Sequence, residues 1–155
     1  MTIELKKNFV KYEALVHIVD AVFGRVKKEY PKEVFCREKC CDCCYAIFDL
    51  TLIEALYIKD KFLKKFSGRQ KNAILEIADK TDRALTKMKK EAYKEVKNGA
   101  SELDVVGKMS MERIRCPLLS EDNLCLLYES RPITCRLYGI PISTAGEIGR
   151  ASCRE

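Results

Sequence analysis

Nine cysteines stand out in this 155-residue chain, and they fall in two groups. The first is Cys36, Cys40, Cys41, Cys43 and Cys44; the second is Cys116, Cys125, Cys135 and Cys153. Thiolate is the soft ligand that selects zinc, copper(I) and iron–sulfur clusters. The C-x2-C spacing of Cys40 and Cys43 lets two sulfurs reach one metal from a single turn. The chain's one histidine, His17, is far from both groups in sequence, so any site there would be nearly all sulfur. Buried free cysteines behave as small hydrophobes spread along apolar stripes. The first group instead sits among Arg37, Glu38, Lys39 and Asp42, which is no core pattern. A disulfide framework fits poorly with an odd cysteine count in a chain of this length. Metal ligation is the expected chemistry.

Cys36, Cys40 and Cys43 also match the C-x3-C-x2-C spacing of radical S-adenosylmethionine enzymes. Those enzymes usually place an aromatic residue before the last cysteine, where this chain has Asp42. They also need a βα barrel, for which the chain shows no pattern. That match reads as accidental.

A second similarity extends much further. Cys40-Cys41-Asp42-Cys43-Cys44, followed by Thr51-Leu52-Ile53-Glu54, resembles the first block of the YkgJ-type cysteine cluster proteins, a zinc- or iron-chelating family. Cys116-Pro117-Leu118-Leu119 and then Cys125-Leu126-Leu127-Tyr128-Glu129-Ser130-Arg131-Pro132-Ile133-Thr134-Cys135-Arg136 resemble its second block almost throughout. The resemblance covers about residues 36–57 and 116–153. There are two departures: the family's first cysteine would fall at Arg37, so Cys36 replaces it, and Cys41 stands where family members often have glycine. The resemblance therefore implies eight ligands: Cys36, Cys40, Cys43, Cys44, Cys116, Cys125, Cys135 and Cys153. Cys41 is left over, and Cys153 is the least secure of the eight. Eight ligands suit two metal sites or a pair of clusters, with zinc or an iron–sulfur cluster, 4Fe–4S favoured, as the cofactor. Adjacent Cys43 and Cys44 cannot easily point the same way and are expected to serve different metals or opposite sides of one cluster; because neither loop alone has a closed set, ligands from both loops are expected to mix.

Arg131 and Arg136 flank Cys135, and Arg115 precedes Cys116. Guanidinium groups there would offset cluster charge and donate to sulfur; surface pairing with Glu129 or Glu121 is the alternative, and support of the cluster is favoured for Arg136. Tyr128 and Tyr138 are expected to pack.

The elements that must carry these loops read as helices. Phe9, Tyr12, Val16, Val19, Phe23 and Val26 recur at three- and four-residue steps, giving a helix over 5–28 that Pro31 closes. His17 lies beside this stripe and is expected to be partly buried. Thr51 and Glu54 form a capping box that starts a second helix over 51–66, ended by Ser67-Gly68. Ile74, Ile77, Ala78, Thr81, Leu85, Met88, Ala92 and Val96 stripe a third helix over 69–98, with Gly99 as its stop. Ser101 and Asp104 would cap a short fourth helix before Lys108. Cys125–Tyr128 suits one turn or a short strand, and nothing alternates long enough for a sheet. The fold class expected is mainly α: one small helical domain over 1–155 bearing two cysteine-rich metal loops, about 36–44 and 116–153.

Composition bounds the rest. With 47% hydrophobic and 34% charged residues the balance is that of an ordinary globular chain. No apolar run reaches the roughly 20 residues of a membrane span, and the first ten residues lack a signal peptide's apolar stretch. A cytoplasmic, non-membrane protein is expected. Its formal charge of +6 would fall to about +2 with eight thiolates on two divalent metals. The basic excess lies mainly on the third helix, where a solvated Lys-rich face is commoner than a nucleic-acid interface, so nucleic acid is an unlikely partner.

No Ser-His-Asp grouping, phosphate loop or dinucleotide fingerprint is present. Three functions fit. The favoured one is a metal or iron–sulfur protein in electron transfer, metal handling or as a metal-stabilised module, with an unknown redox or protein partner. The second is an enzyme with an open coordination position, of methyltransferase-associated or oxidoreductase type. The third is a zinc-stabilised binder using the Lys87–Lys97 face. Glu54 and Asp49 lie near the first loop as potential acid or base, though capping explains Glu54.

Overall fold

The apolar steps of the first segment do build one helix face. In the computed structural model, which describes residues 3–141, 143–144 and 147–148, α1 runs Ile3–Glu29. Phe9, Tyr12, Val16 and Val19 are buried along it. His17 is one residue round from Val16, a turn of about 100°, and this carries it to solvent. It is exposed rather than partly buried as its apolar neighbours suggested.

α2 runs Leu52–Lys65 and starts at the expected capping box. The Thr51 N–H and hydroxyl both donate to Glu54 Oε2, at 2.9 and 2.7 Å. Glu54 is also buried, and its other oxygen accepts the Ile133 N–H at 2.9 Å. Burial pushes this carboxyl up, but the Thr51 and Ile133 hydrogen bonds outweigh it and hold Glu54 below the usual range. One cap thus also fastens α5, Ile133–Leu137, the short helix that carries Cys135.

The core is aromatic at this junction. Tyr57 of α2 meets Phe9 and Tyr12 edge-on, at centroid distances of 5.3 and 5.0 Å, contacts worth about 0.5–1.5 kcal/mol each beyond area burial. Ile133 packs against the same group. The Tyr57 hydroxyl donates to Glu13 at 2.8 Å, and Lys61 reaches the same oxygen at 3.1 Å. A second cluster, Phe62, Phe66, Ile74 and Leu127, joins α2 and the start of α3 to the second cysteine loop.

α3 runs Gly68–Lys97, about 45 Å of helix. Gly68 is its first residue, at φ +53°, rather than the stop of α2, whose last turn is closed by Phe66. Gly99, at φ +96°, ends α3 where the sequence indicated. Of the α3 stripe only Ile74 is buried; Ile77 is exposed and the later positions are half-buried. The reason is length: α4, Glu102–Met111, packs against α3 but is a third as long. α4 also runs past Lys108, which pairs with Glu95 of α3 at 3.3 Å.

Most of the described chain is helix. A two-residue antiparallel pair, β1 Ser143–Thr144 with β2 Glu147–Ile148, is also present. Among the described residues no helix is long and apolar enough to cross a membrane.

Candidate metal centre

The first loop reaches its cysteines through a tight turn. Lys39 takes a left-handed φ of 64°, the Cys40 N–H donates to the Arg37 carbonyl at 3.0 Å, and a 3-10 turn follows over Asp42–Cys44. In the second loop Cys116 and Cys125 sit on the two legs of a small hairpin. Leu119 bridges to Cys125, the Leu126 N–H donates to the Leu118 carbonyl at 2.8 Å, and Asn123 turns the tip at φ 59°. Cys125 is thus at a bridge, and a 3-10 turn over Tyr128–Ser130 leads on to α5.

The main chain joins the two loops. The Cys116 N–H donates to the Cys44 carbonyl at 2.7 Å, and the Ile114 N–H to the Tyr45 carbonyl at 3.1 Å. Arg113 reinforces this seam, bonding Asp42 at 2.7 Å while its guanidinium lies 5.1 Å from the Tyr45 ring centre. Nothing in the spacing of the cysteines signalled this pairing.

None of the eight described cysteines is joined in a disulfide. Cys36, Cys40, Cys43, Cys44, Cys125 and Cys135 share a cavity of about 410 Å³, with Arg131 and Tyr138 also in its wall. Cys116 lies against the opposite side of the same wall, beside Cys43, Cys44, Cys125 and Cys135. Cys41 lines neither space. Cys153 lies outside the described residues.

The thiols meet across the loops in pairs. Cys135 and Cys44 both donate to Cys43, and these bonds outweigh burial to hold its thiol down at about 3. Cys44 shares its single S–H between Cys43 and Cys125, and Cys125 is held at about 7. The donors shift the other way. Cys135 is pushed up by its bond to Cys43 and by burial, and Cys44 by its bonds to Cys125 and Cys43. Burial leads the upward shift of Cys116. Cys43 and Cys125 are therefore the thiols whose ionisation the site favours, each with neighbouring thiols to hydrogen-bond its sulfur. Cys135, Cys43, Cys44 and Cys125 thus form a connected run of sulfurs, although among the described residues no three ligating side chains are already arranged around one ion position. The donor set nonetheless fits a soft metal: it is sulfur only and drawn from both loops.

The two arginines flanking Cys135 have different surroundings. Arg131 lines both faces of the thiol wall and favours the thiolates of Cys43 and Cys125. It is held by stacking 3.6 Å over the Tyr128 ring and by Nε donating to the Tyr128 carbonyl at 3.0 Å. Tyr128, itself exposed, thus serves as a platform, while half-buried Tyr138 helps line the thiol cavity.

Arg136 is buried and turned away from sulfur. Nη1 forks onto both oxygens of Asp20 on α1, at 2.8 and 2.6 Å. Nε donates to the Arg131 carbonyl at 2.9 Å, and Nη2 to the Glu129 carbonyl. The expected donation from Arg136 to the cluster gives way to a backbone-holding role, because Asp20 faces it from a helix more than a hundred residues earlier. Arg115 takes the surface alternative, bonding the Ser120 carbonyl at 3.0 Å and Glu121 at 3.4 Å. Asp49 pairs with Lys89 of α3.

The CxxCxxCC family model, a proposed zinc- or iron-chelating domain, matches residues 35–154. No curated protein and no solved structure matched the chain.

Proposed function

Because the chain belongs to the CxxCxxCC family, we propose that its thiols hold a resident metal centre, an iron–sulfur cluster in preference to zinc, and that it serves electron transfer or metal handling. The ligands would be Cys36, Cys40, Cys43, Cys44, Cys116, Cys125, Cys135 and Cys153, with 4Fe–4S the favoured cluster. When bound, such a cluster supplies reversible one-electron chemistry.

The observation that carries this reading is the cross-loop pairing of free thiols, Cys43 with Cys135 and Cys44 with Cys125. It brings sulfur from the first loop, the hairpin and α5 to one wall. Arg131 offsets the negative charge there and favours cluster over closed zinc sites. Arg136 acts at one remove, tying α5, and Cys135 with it, to α1. A cytoplasmic setting, where thiols stay reduced, suits such a site. The redox or protein partner would approach from outside the thiol wall.

The test is strictly anaerobic purification followed by iron, zinc and inorganic sulfide analysis with an absorption spectrum. Brown protein absorbing near ~400 nm, with iron matched by sulfide, is the expected result. Colourless protein carrying about two zinc ions would replace the cluster with closed structural sites.

A further inference from the structure

The half-buried seam of α3, Ala78, Thr81, Leu85 and Met88, fixes which side of that helix looks outward. Thr81 and Leu85 face the thiol wall, and Lys89 ties the same stretch to Asp49. The opposite side carries Arg83, Lys87, Lys90, Lys94 and Lys97, all exposed. They follow one another at steps of four and three residues, so at 100° per residue they fall within an arc of about 80°. The line they make is about 21 Å long.

No acid interrupts it. Asp79 pairs with Arg83 at 2.6 Å from the turn before the line begins. Glu91, at the edge, comes within 4.0 Å of Lys87. Glu95 lies on the flank toward α4 and pairs with Lys108. Among the described residues Lys90, Lys94 and Lys97 form no ion pair. Each successive couple along the line is therefore like-charged at the spacing where like charges destabilise a helix. Attraction to the negative end of the helix accounts for Lys94 and Lys97, which are in the last turn. It does not account for Lys87 and Lys90, which are further from that end. An anionic partner would turn the repulsion into attraction.

The shape of the face favours an acidic protein over nucleic acid. It is convex and one helix wide, without the groove that tracks a single strand. Its five cations fall short of the roughly six to ten phosphate contacts of many duplex binders. Tyr93 is exposed but lies to one side of the line, so no aromatic alternates with the cations to stack bases. Steps of three and four residues are those by which a second helix sets its own acids on one face.

We propose that the outward face of α3 docks a partner protein, which lays an acidic helix along Arg83, Lys87, Lys90, Lys94 and Lys97. The surface steers and holds the partner on the side of α3 away from the thiol wall, by complementary charge. The inference does not depend on which metal the thiols hold.

The test uses the full metal-loaded chain and two labelled probes followed by fluorescence anisotropy. One is an alanine-based helical peptide of about 20 residues, with glutamates at steps of three and four along one face. The other is an oligothymidylate of about 15 nucleotides. Saturable one-to-one binding of the peptide is expected, weakening about tenfold as salt rises from about 20 to about 200 mM. Replacing Lys90, Lys94 and Lys97 together by Gln keeps helix propensity and is expected to weaken the peptide at least about tenfold. Lys90→Gln alone should weaken it about threefold. Lys6, Lys7 and Lys11 of α1 are also exposed; replacing these three by Gln removes the same net charge and should leave binding within about twofold.

Equal weakening by the two triple variants would reduce the effect to net charge and overturn the proposal. So would an oligothymidylate bound more tightly than the peptide, which would make the face a nucleic-acid surface. Metal content, read on the same samples, separates this inference from the metal centre. A chain that holds metal but does not bind the peptide loses only the docking face; a metal-free chain that still binds it loses only the metal centre.

Discussion

Cys43→Ser is expected to strip the protein of metal, to less than about one tenth of the wild-type content after anaerobic purification. Cys43 is where the loops meet: it accepts from Cys135 and Cys44 and is the most acidic of the shifted thiols. It also lines both spaces on either side of the thiol wall. A serine hydroxyl has nearly the same shape but is a hard ligand and stays protonated, so the substitution removes soft donation with little change in packing. Metal affinity in such a chain is also folding free energy, so thermal stability should fall with metal content. Cys41→Ser is the matched comparison. Cys41 lines neither space, and its loss should leave metal content near that of the wild type. If Cys41→Ser lost the metal and Cys43→Ser kept it, the assignment of ligands in the first loop would be wrong.

The second large effect is expected at a residue that touches no thiol. Arg136→Met keeps the aliphatic stem but leaves the carbonyls of Arg131 and Glu129 and the carboxylate of Asp20 without their donor. Breaking a buried pair of this kind costs about 3–5 kcal/mol. Asp20 is half exposed and regains water, which lowers the expectation to about 2–3 kcal/mol, mostly from the carbonyls. Denaturant unfolding of the apo protein measures it. Arg136→Lys should recover only part of the loss, because an ammonium cannot reproduce the guanidinium fork. With α5 loosened, Cys135 is misplaced and metal content should fall as well. Full apo stability in Arg136→Met would show that α5 is held by Glu54 and Ile133 alone.

The contrast between these residues shows how far the sequence carries. Local rules were legible: the Thr51–Glu54 box starts α2, the three-and-four spacing buries Phe9, Tyr12 and Val16, and Gly99 takes a positive φ after α3. The cysteines were legible as a donor set because soft-ligand chemistry depends on residue type. Their partners across the loops were not. That Cys43 meets Cys135, and that the Cys116 N–H finds the Cys44 carbonyl, depends on packing between segments about seventy or more residues apart. Arg136 shows the same limit: its position beside Cys135 suggested sulfur, while the carboxylate it binds, that of Asp20, sits on α1. His17 failed differently. Apolar neighbours in sequence do not bury a residue that helical rotation turns outward. On α3 the stripe was real, but periodicity does not say whether another element is long enough to cover it.

X-ray absorption at the metal edge of the anaerobically purified full chain tests the central claim most directly, because it reads the atoms bound to the metal. A shell of sulfur alone at about 2.3 Å is predicted, with an iron–iron shell beyond it if the centre is a cluster. A shell of nitrogen or oxygen at about 2.0–2.2 Å would place the metal on histidine or carboxylate and contradict a thiol centre built from the two loops.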